Sequence, residues 1–140
     1  MKIPDLLDGL AERLRTIDGL TVTTDPGANV AVPMAIVSDG DITYNATMGR
    51  GSDDVDVVVS VYVSRSESSE GAFEVRDYKS GHGDNSIRTA LETSIGATDT
   101  LATAGVMVRV DSAASGISTR GDASYIVVNV SLLATVSGTT

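Results

Sequence analysis

The chain has 140 residues, a formal net charge of −9 and no cysteine, and its only histidine is His82. This length allows one domain with a buried core and is too short for two independent domains. The missing cysteines exclude disulfides, thiolate metal sites and cysteine nucleophiles, and a single histidine excludes multi-histidine metal sites. The excess of acidic residues argues against binding to a phosphate backbone, because that attraction needs clustered Lys and Arg.

The first predicted element is an amphipathic helix over residues 3–17. Its apolar residues recur at steps of three and four and form one stripe, while the charged residues, Arg13 among them, fall mostly on the opposite side. Pro4 suits the first turn, and Asp18-Gly19 ends the helix. The segment lacks the basic stretch and long apolar run of a signal peptide, so we expect folding in a cytoplasm without membrane association.

Several strands are predicted after this helix. Residues 20–24 and 34–38 form short candidates, and Asp39-Gly40 is a turn signal before a half-buried strand that begins at Ile42. Over residues 55–63 valine occupies every second position, which is the clearest strand pattern in the chain. Because this valine face must be buried, we expect helices to cover one face of the sheet.

The second half of the chain begins with a predicted broken helix. It runs over residues 69–79, is interrupted at Gly81-His82-Gly83 and resumes after Asp84 or Asn85. The remaining pattern predicts a loop, a strand, a loop of small residues and a final strand, over residues 96–103, 106–111, 112–122 and 125–134 respectively.

This order of elements predicts an α+β fold, with a mixed, mostly antiparallel sheet and helices packed on one face. We expect one domain over residues 1–140, with residues 137–140 as a short frayed tail.

No segment carries a specific catalytic or ligand-binding signature. His82 would need a nucleophile and an orienting acid to act as a base, and a solvent-facing turn is the simpler interpretation. Asp53, Asp54 and Asp56 lack the ligand spacing of a calcium loop and are better explained as a solvated loop. Gly49-Arg50-Gly51 lacks the third glycine of a dinucleotide fingerprint. We therefore predict no enzyme activity, no catalytic residue, no cofactor and no metal site.

Taken together, residues 3–134 resemble the tail terminator proteins of long-tailed, siphovirus-type phages. The resemblance lies in the order of the segments, in their lengths and in their overall residue character. Its most telling part is Ile42-Thr43-Tyr44-Asn45-Ala46-Thr47-Met48-Gly49-Arg50-Gly51, which precedes the valine strand. The opening helix, the strand that ends at Asp39-Gly40, the segment Ser86-Ile87-Arg88-Thr89-Ala90-Leu91-Glu92 and the paired C-terminal strands also fit.

The resemblance implies a virion structural protein that forms a homo-oligomeric ring, a hexamer, on the head-proximal end of the tail tube. Such a ring ends tube polymerisation and joins the tail to the head-side connector. The implied partners are further copies of the chain, the major tail tube protein and the head-to-tail stopper or connector protein. DNA would pass through the lumen without specific binding, and a negative subunit fits a lumen that repels phosphates. Assembly would take place in the host cytoplasm.

The segment that joins the two central strands is our candidate for the interface with neighbouring subunits or the tube. It consists of Met48, Gly49, Arg50, Gly51, Ser52, Asp53 and Asp54. A glycine-rich, charged connection of this kind can project from a sheet, and the guanidinium of Arg50 can pair with a neighbouring carboxylate. A plain hairpin loop is the alternative interpretation. The loop at residues 112–122 is a second candidate.

The sequence is also compatible with two other functions. A head-to-tail stopper or connector protein of the neck would bind on the portal side of the ring. A small soluble enzyme or ligand-binding domain would have a concave polar pocket around His82.

Overall fold

The computed structural model describes residues 2–17, 19–25, 27, 33–44, 52–64, 76–81, 83, 86–120 and 123–137. The helices are α1 (Ile3–Leu14), α2 (described over residues 76–79), α3 (Ile87–Glu92) and α4 (Thr100–Thr103). The strands are β1 (Thr21–Thr23), β2 (Met34–Thr43), β3 (Ser52–Ser64), β4 (Met107–Arg120) and β5 (Ala123–Ser137). The predicted α+β fold is confirmed.

The five strands form one mixed sheet in the order β1-β2-β3-β5-β4. Only β1 and β2 are parallel, and the other three pairs are antiparallel. The centre of the sheet is the long ladder between β3 and β5, which runs from Ser52↔Ser137 to Ser64↔Tyr125. The prediction of a mostly antiparallel sheet is therefore correct.

The core lies between the helices and one face of this sheet. The valine face of β3 is at most 1% exposed, and it packs with Val128, Val130 and Leu132 of β5. From the helix side, Leu6, Leu10 and Leu14 of α1 complete the core, and all three are fully buried. Burial of each such side chain stabilises the fold by about 1.5–3 kcal/mol, which explains why the strict alternation of valines predicts this strand so well. The other face of the sheet carries a polar pair, Ser60 Oγ and Asn129 Oδ1, 2.8 Å apart.

The predicted turn at Asp39-Gly40 is wrong, because both residues lie inside β2. The ladder with β3 passes from Asp39↔Val57 to Ile42↔Val55, so β2 carries one extra residue here, a β-bulge. A Cβ on Gly40 would lie only 3.3 Å from the carbonyl oxygen of Asp56, so the glycine permits a close approach to β3. The glycine signal therefore marked a bulge within a strand, not a turn between two strands.

Two predicted loops are also corrected. Residues 112–120 belong to β4, which pairs with β5 as far as Arg120↔Ala123. Serine, alanine and glycine have low strand propensity, so only the partner strand reveals this half of β4. Within residues 96–103, Thr100–Thr103 form α4, whose N-terminus is capped by the side chain of Asp99 accepting from the Ala102 N–H.

Helix α1 ends at Leu14, three residues before the predicted end. The predicted strand that starts at Ile42 belongs to β2, which ends at Thr43, so Tyr44 lies beyond the strand; residues 45–51 lie outside the described part. No helix in the described ranges is long and apolar enough to cross a membrane.

Candidate functional site

The predicted interface segment is only partly described. Met48, Gly49, Arg50 and Gly51 lie outside the described residues. We expected Ser52, Asp53 and Asp54 to lie in a loop. They are instead the first residues of β3. They pair with Ser137, Val136 and Thr135 of β5. The ladder extends this far because β5 is long enough to provide a partner for each of them.

The acidic residues of this segment do not converge on one point. Side chains alternate along a strand, so Asp53 shares the helix-bearing face with Val55, whereas Asp54 and Asp56 lie on the other face. Asp54 Oδ1 accepts a hydrogen bond from Thr135 Oγ1 at 2.9 Å. In the part of the chain that the structure describes, no three His, Cys, Asp or Glu side chains are grouped so that they could hold a metal ion.

An apolar cleft of about 350 Å³ lies beside Asp53, where α1 begins and where β2 and β5 end. Ile3 and Pro4 line one side of the cleft, and Ile42 and Tyr44 line the other. Tyr44 is 70% exposed although it is a large aromatic residue. Exposed aromatic and apolar side chains at one end of a sheet are typical of a contact surface. Of the interface segment, Asp53 lines this cleft.

His82 itself is outside the described residues, but its neighbours line a second cleft of about 260 Å³. This cleft lies between α2, α3 and β4, and Tyr78 and Val130 contribute to its walls. Two cations, Lys79 and Arg88, line it as well. Lys79 Nζ donates to Ser115 Oγ on β4 at 3.4 Å.

Arg88 forms an exposed ion pair with Glu92 one helical turn away (Nε–Oε1, 3.2 Å). The charged side chains that line this cleft are Lys79, Arg88 and Asp111, and Arg88 is paired with Glu92, so the cleft carries charges of both signs.

The outer edge of β4 has two different halves. In the first half, the backbone N–H of Val110 points away from β5 and donates to Glu92 Oε2 at 3.0 Å, so α3 covers this part of the edge. The ladder with β5 then shifts between Val110 and Ser112, which makes Asp111 the extra residue of a bulge.

The second half of the β4 edge, residues 112–119, is the least protected part of the described sheet. It contains four hydroxyl residues, two alanines, a glycine and Ile117, and no charged residue. No described strand pairs with its outer side, and Ile117 is 63% exposed. Natural edge strands are normally protected by charges, prolines, short length or a covering element. Among the described residues, this long uncharged edge with an exposed isoleucine lacks those protections.

Sequence reasoning missed this edge because it assigned residues 112–122 to a loop. A signal was present: a run without charged residues is unusual for an exposed loop of so acidic a chain. The sequence analysis named this segment as a second candidate for the interface; its assignment to a loop was wrong, and its role as an interface stays a prediction.

A buried ion pair was missed altogether. Arg13 and Asp99 are 5% and 2% exposed, and Arg13 Nε donates to Asp99 Oδ2 at 2.9 Å. Arg13 also donates to the carbonyl oxygen of Leu91 at 2.7 Å. The carboxylate of Asp99 further accepts from the N–H groups of Ile95 and Ala102, at 2.9 and 3.0 Å.

Burial of Asp99 by itself would raise the pKa of its carboxyl. The hydrogen bonds from Arg13, Ala102 and Ile95 and the positive charge of Arg13 outweigh burial and hold the pKa well below its usual range. Because every polar atom of the pair is satisfied, the pair joins α1 to the α3–α4 segment and has no free group for chemistry.

No protein-family model matches the chain, and no curated protein is significantly similar to it in sequence.

Proposed function

We propose that this protein is a virion assembly protein of the tail terminator kind, which forms a ring on the head-proximal end of a phage tail tube. The ring ends tube polymerisation and joins the tail to the head-side connector. In this proposal the protein binds copies of itself, the tube protein and the connector, and has no catalytic role or cofactor.

The observation that carries the proposal is the edge of β4 over residues 112–119, with which no described strand pairs. A monomer that functions alone gains nothing from eight uncharged edge residues with an exposed isoleucine, and it risks aggregation. A subunit whose edge is paired in an assembly avoids that risk. The resemblance of residues 3–134 to tail terminators specifies which assembly, and the apolar cleft beside Tyr44 offers a further contact surface at the end of the sheet.

The charge of the chain is consistent with this role. A ring of subunits that each carry a net charge of −9 would surround its lumen with negative potential. DNA phosphates would be repelled from the wall, so DNA could pass without binding.

The proposal is tested by adding the purified protein to polymerising tail tube protein of the same virus and measuring tube lengths by electron microscopy. We expect tubes to become shorter as the protein is added in increasing molar ratio, because each ring ends one tube. An unchanged length distribution at all ratios would contradict the proposal. Binding to portal or connector rings, without any effect on tubes, would favour the head-to-tail stopper instead.

A further inference from the structure

Each of the two outer edges of the sheet has a part with which no described strand pairs. On the β1 side, the described residues of β1 pair only with Met34, Ala35 and Ile36, so β2 extends beyond its described neighbour over residues 37–43. This part of β2 carries Asp39 and Asp41, both exposed. On the other side, the uncharged edge of β4 lies next to Lys79, whose Nζ donates to Ser115 Oγ. Arg88 and Asp111 line the cleft beside it, and Arg88 is paired with Glu92. Exposed carboxylates therefore lie on one edge, and a lysine lies beside the other.

The strand directions allow the two edges to meet. Three successive antiparallel pairings relate β2 to β3, β3 to β5 and β5 to β4, so β2 and β4 run in opposite directions. A second copy placed beside the first in the same orientation would bring its β2 alongside β4 as an antiparallel neighbour. Antiparallel pairing is the more stable kind of ladder, and a repeated head-to-tail contact forms a ring where the rotation between neighbouring copies closes.

The charges lie on the same face of the sheet. Asp39 is opposite Val57, whose side chain belongs to the helix-bearing face. Lys79 and Arg88 line their cleft together with Val130, which belongs to that face as well. If the sheet continues from one copy to the next, the carboxylate of Asp39 comes to the side on which Lys79 and Arg88 stand.

A two-fold pairing of β4 with β4 is less favourable. It would place the Lys79 ammonium groups of two copies on the same side of one short ladder, and like charges across a ladder destabilise it. A β4–β4 contact would also use the same surface on both copies, so assembly would stop at a dimer. A larger ring needs two different surfaces on each subunit.

We infer that residues 112–119 of β4 bind residues 37–43 of β2 from a second copy of the chain, with Lys79 on the same side of the ladder as Asp39. This inference rests on the proposed function, since it describes how the ring closes. Across the sheet, β2 residues 37–43 lie level with the first half of β4, so neighbouring copies are offset along the strands. Tilted strands in closed sheets show the same stagger.

Cysteine cross-linking tests the pairing directly, because the chain has no cysteine of its own. Asp39→Cys is combined in turn with Ala113→Cys, Ser115→Cys or Ile117→Cys, all on the helix-bearing face, so that the three variants scan the register. The matched control combines Asp39→Cys with Ala114→Cys, which lies on the opposite face. We expect oxidation to give a ladder of covalent oligomers in at least one of the three scanning variants and none in the control.

The oligomeric state is measured on the same samples by native mass spectrometry, which separates the two proposals. Rings that form without cross-links in any scanning variant would overturn the inference and leave the proposed function standing. Disulfide dimers of Ser115→Cys alone would show β4–β4 pairing and would also overturn it. Cross-linked open chains without rings would support the edge pairing and contradict the ring. Monomers at every concentration would overturn both proposals.

Charge reversal provides an independent measurement. Asp39→Lys, or Lys79→Glu, should raise the concentration needed for assembly by about tenfold or more. Combining the two changes should restore assembly, because the charges are again opposite. Reversal of Asp8, exposed on α1, is the control and should have no such effect. Failure of the double variant to recover would show that these charges do not face one another.

Discussion

At the scale of single residues, breaking the buried ion pair between Arg13 and Asp99 is expected to have a large effect on stability. Asp99→Ala would leave the guanidinium of Arg13 buried with only the Leu91 carbonyl as a described partner, and would also remove the cap of α4. Removing one member of a buried pair costs about 3–5 kcal/mol. We expect that loss in the free energy of unfolding, measured by urea denaturation.

The matched control is the exposed pair between Arg109 and Asp111, with a separation of 3.1 Å. Asp111→Ala should change the free energy of unfolding by less than about 1 kcal/mol, because exposed ion pairs contribute little. Equal effects of the two substitutions would contradict the role assigned to the buried pair.

The lowered pKa of Asp99 also predicts how stability depends on pH. The unfolded chain has an ordinary aspartate pKa of about 3.9, above that of the folded state. The contribution of Asp99 is therefore complete above the unfolded pKa and is lost as the pH falls towards the folded pKa. Between pH 5 and pH 2, the free energy of unfolding should fall more steeply for the natural chain than for Asp99→Asn. Parallel curves would show that Asp99 is not held ionised by the fold.

Neither residue of this pair could be predicted from sequence. Arg13 was placed on the solvent side of α1 by charge alone, whereas the structure buries it. Helical periodicity shows which face a residue occupies, but a buried partner 86 positions away is visible only once the chain has folded.

At the scale of elements, α1 packs very closely on α4 at Gly9. A Cβ at this position would lie 2.6 Å from Leu101 Cδ2, so Gly9→Ala would force the leucine to move. Alanine favours a helix by about 1 kcal/mol over glycine, but overpacking costs about 1–3 kcal/mol. We expect a net loss of stability in thermal and urea unfolding.

A double-mutant cycle separates the two contributions. In a Leu101→Ala background the two closest contacts are gone and, of the three nearest atoms, only Thr100 Oγ1, at 3.1 Å, stays near the added Cβ, so Gly9→Ala should cost much less stability there. If Gly9→Ala had the same effect in both backgrounds, contact with Leu101 would not be its cause.

Elements whose buried residues recur at a regular spacing in the sequence were predicted well. Elements that form only because a distant strand pairs with them were not. The valine strand and the apolar stripe of α1 show their period in the sequence and were found. The second half of β4 consists of small residues without such a period, and it is a strand because β5 pairs with it. The bulge at Gly40 was mistaken for a turn because glycine is frequent in both.

At the scale of the whole molecule, the sequence analysis named residues 48–54 and the segment 112–122 as interface candidates, and both stay predictions. The structure describes residues 52–54 of the first segment and residues 112–120 of the second. The sequence could not show that Asp53 and Asp54 point to opposite faces, or that the second segment is a sheet edge. Both facts follow from pairing between distant strands.

The exposed isoleucine of that edge gives a further test of assembly. Ile117→Lys places a charge on the open strand, which is how natural edges prevent pairing. We expect it to abolish oligomers at concentrations where the natural chain assembles, with unfolding unchanged within about 0.5 kcal/mol. Met107→Lys, at an equally exposed residue in the half of β4 covered by α3, is the control and should still assemble. Assembly of Ile117→Lys would contradict the role of this edge.

The central claim, that the protein is a ring that caps a tail tube, is tested most directly by negative-stain electron microscopy. The protein is imaged at high concentration, alone and together with tail tubes of the same virus. The account predicts rings of one diameter with a central hole, seated at one end of each tube. Monomeric particles alone, together with tubes whose ends stay bare, would contradict it.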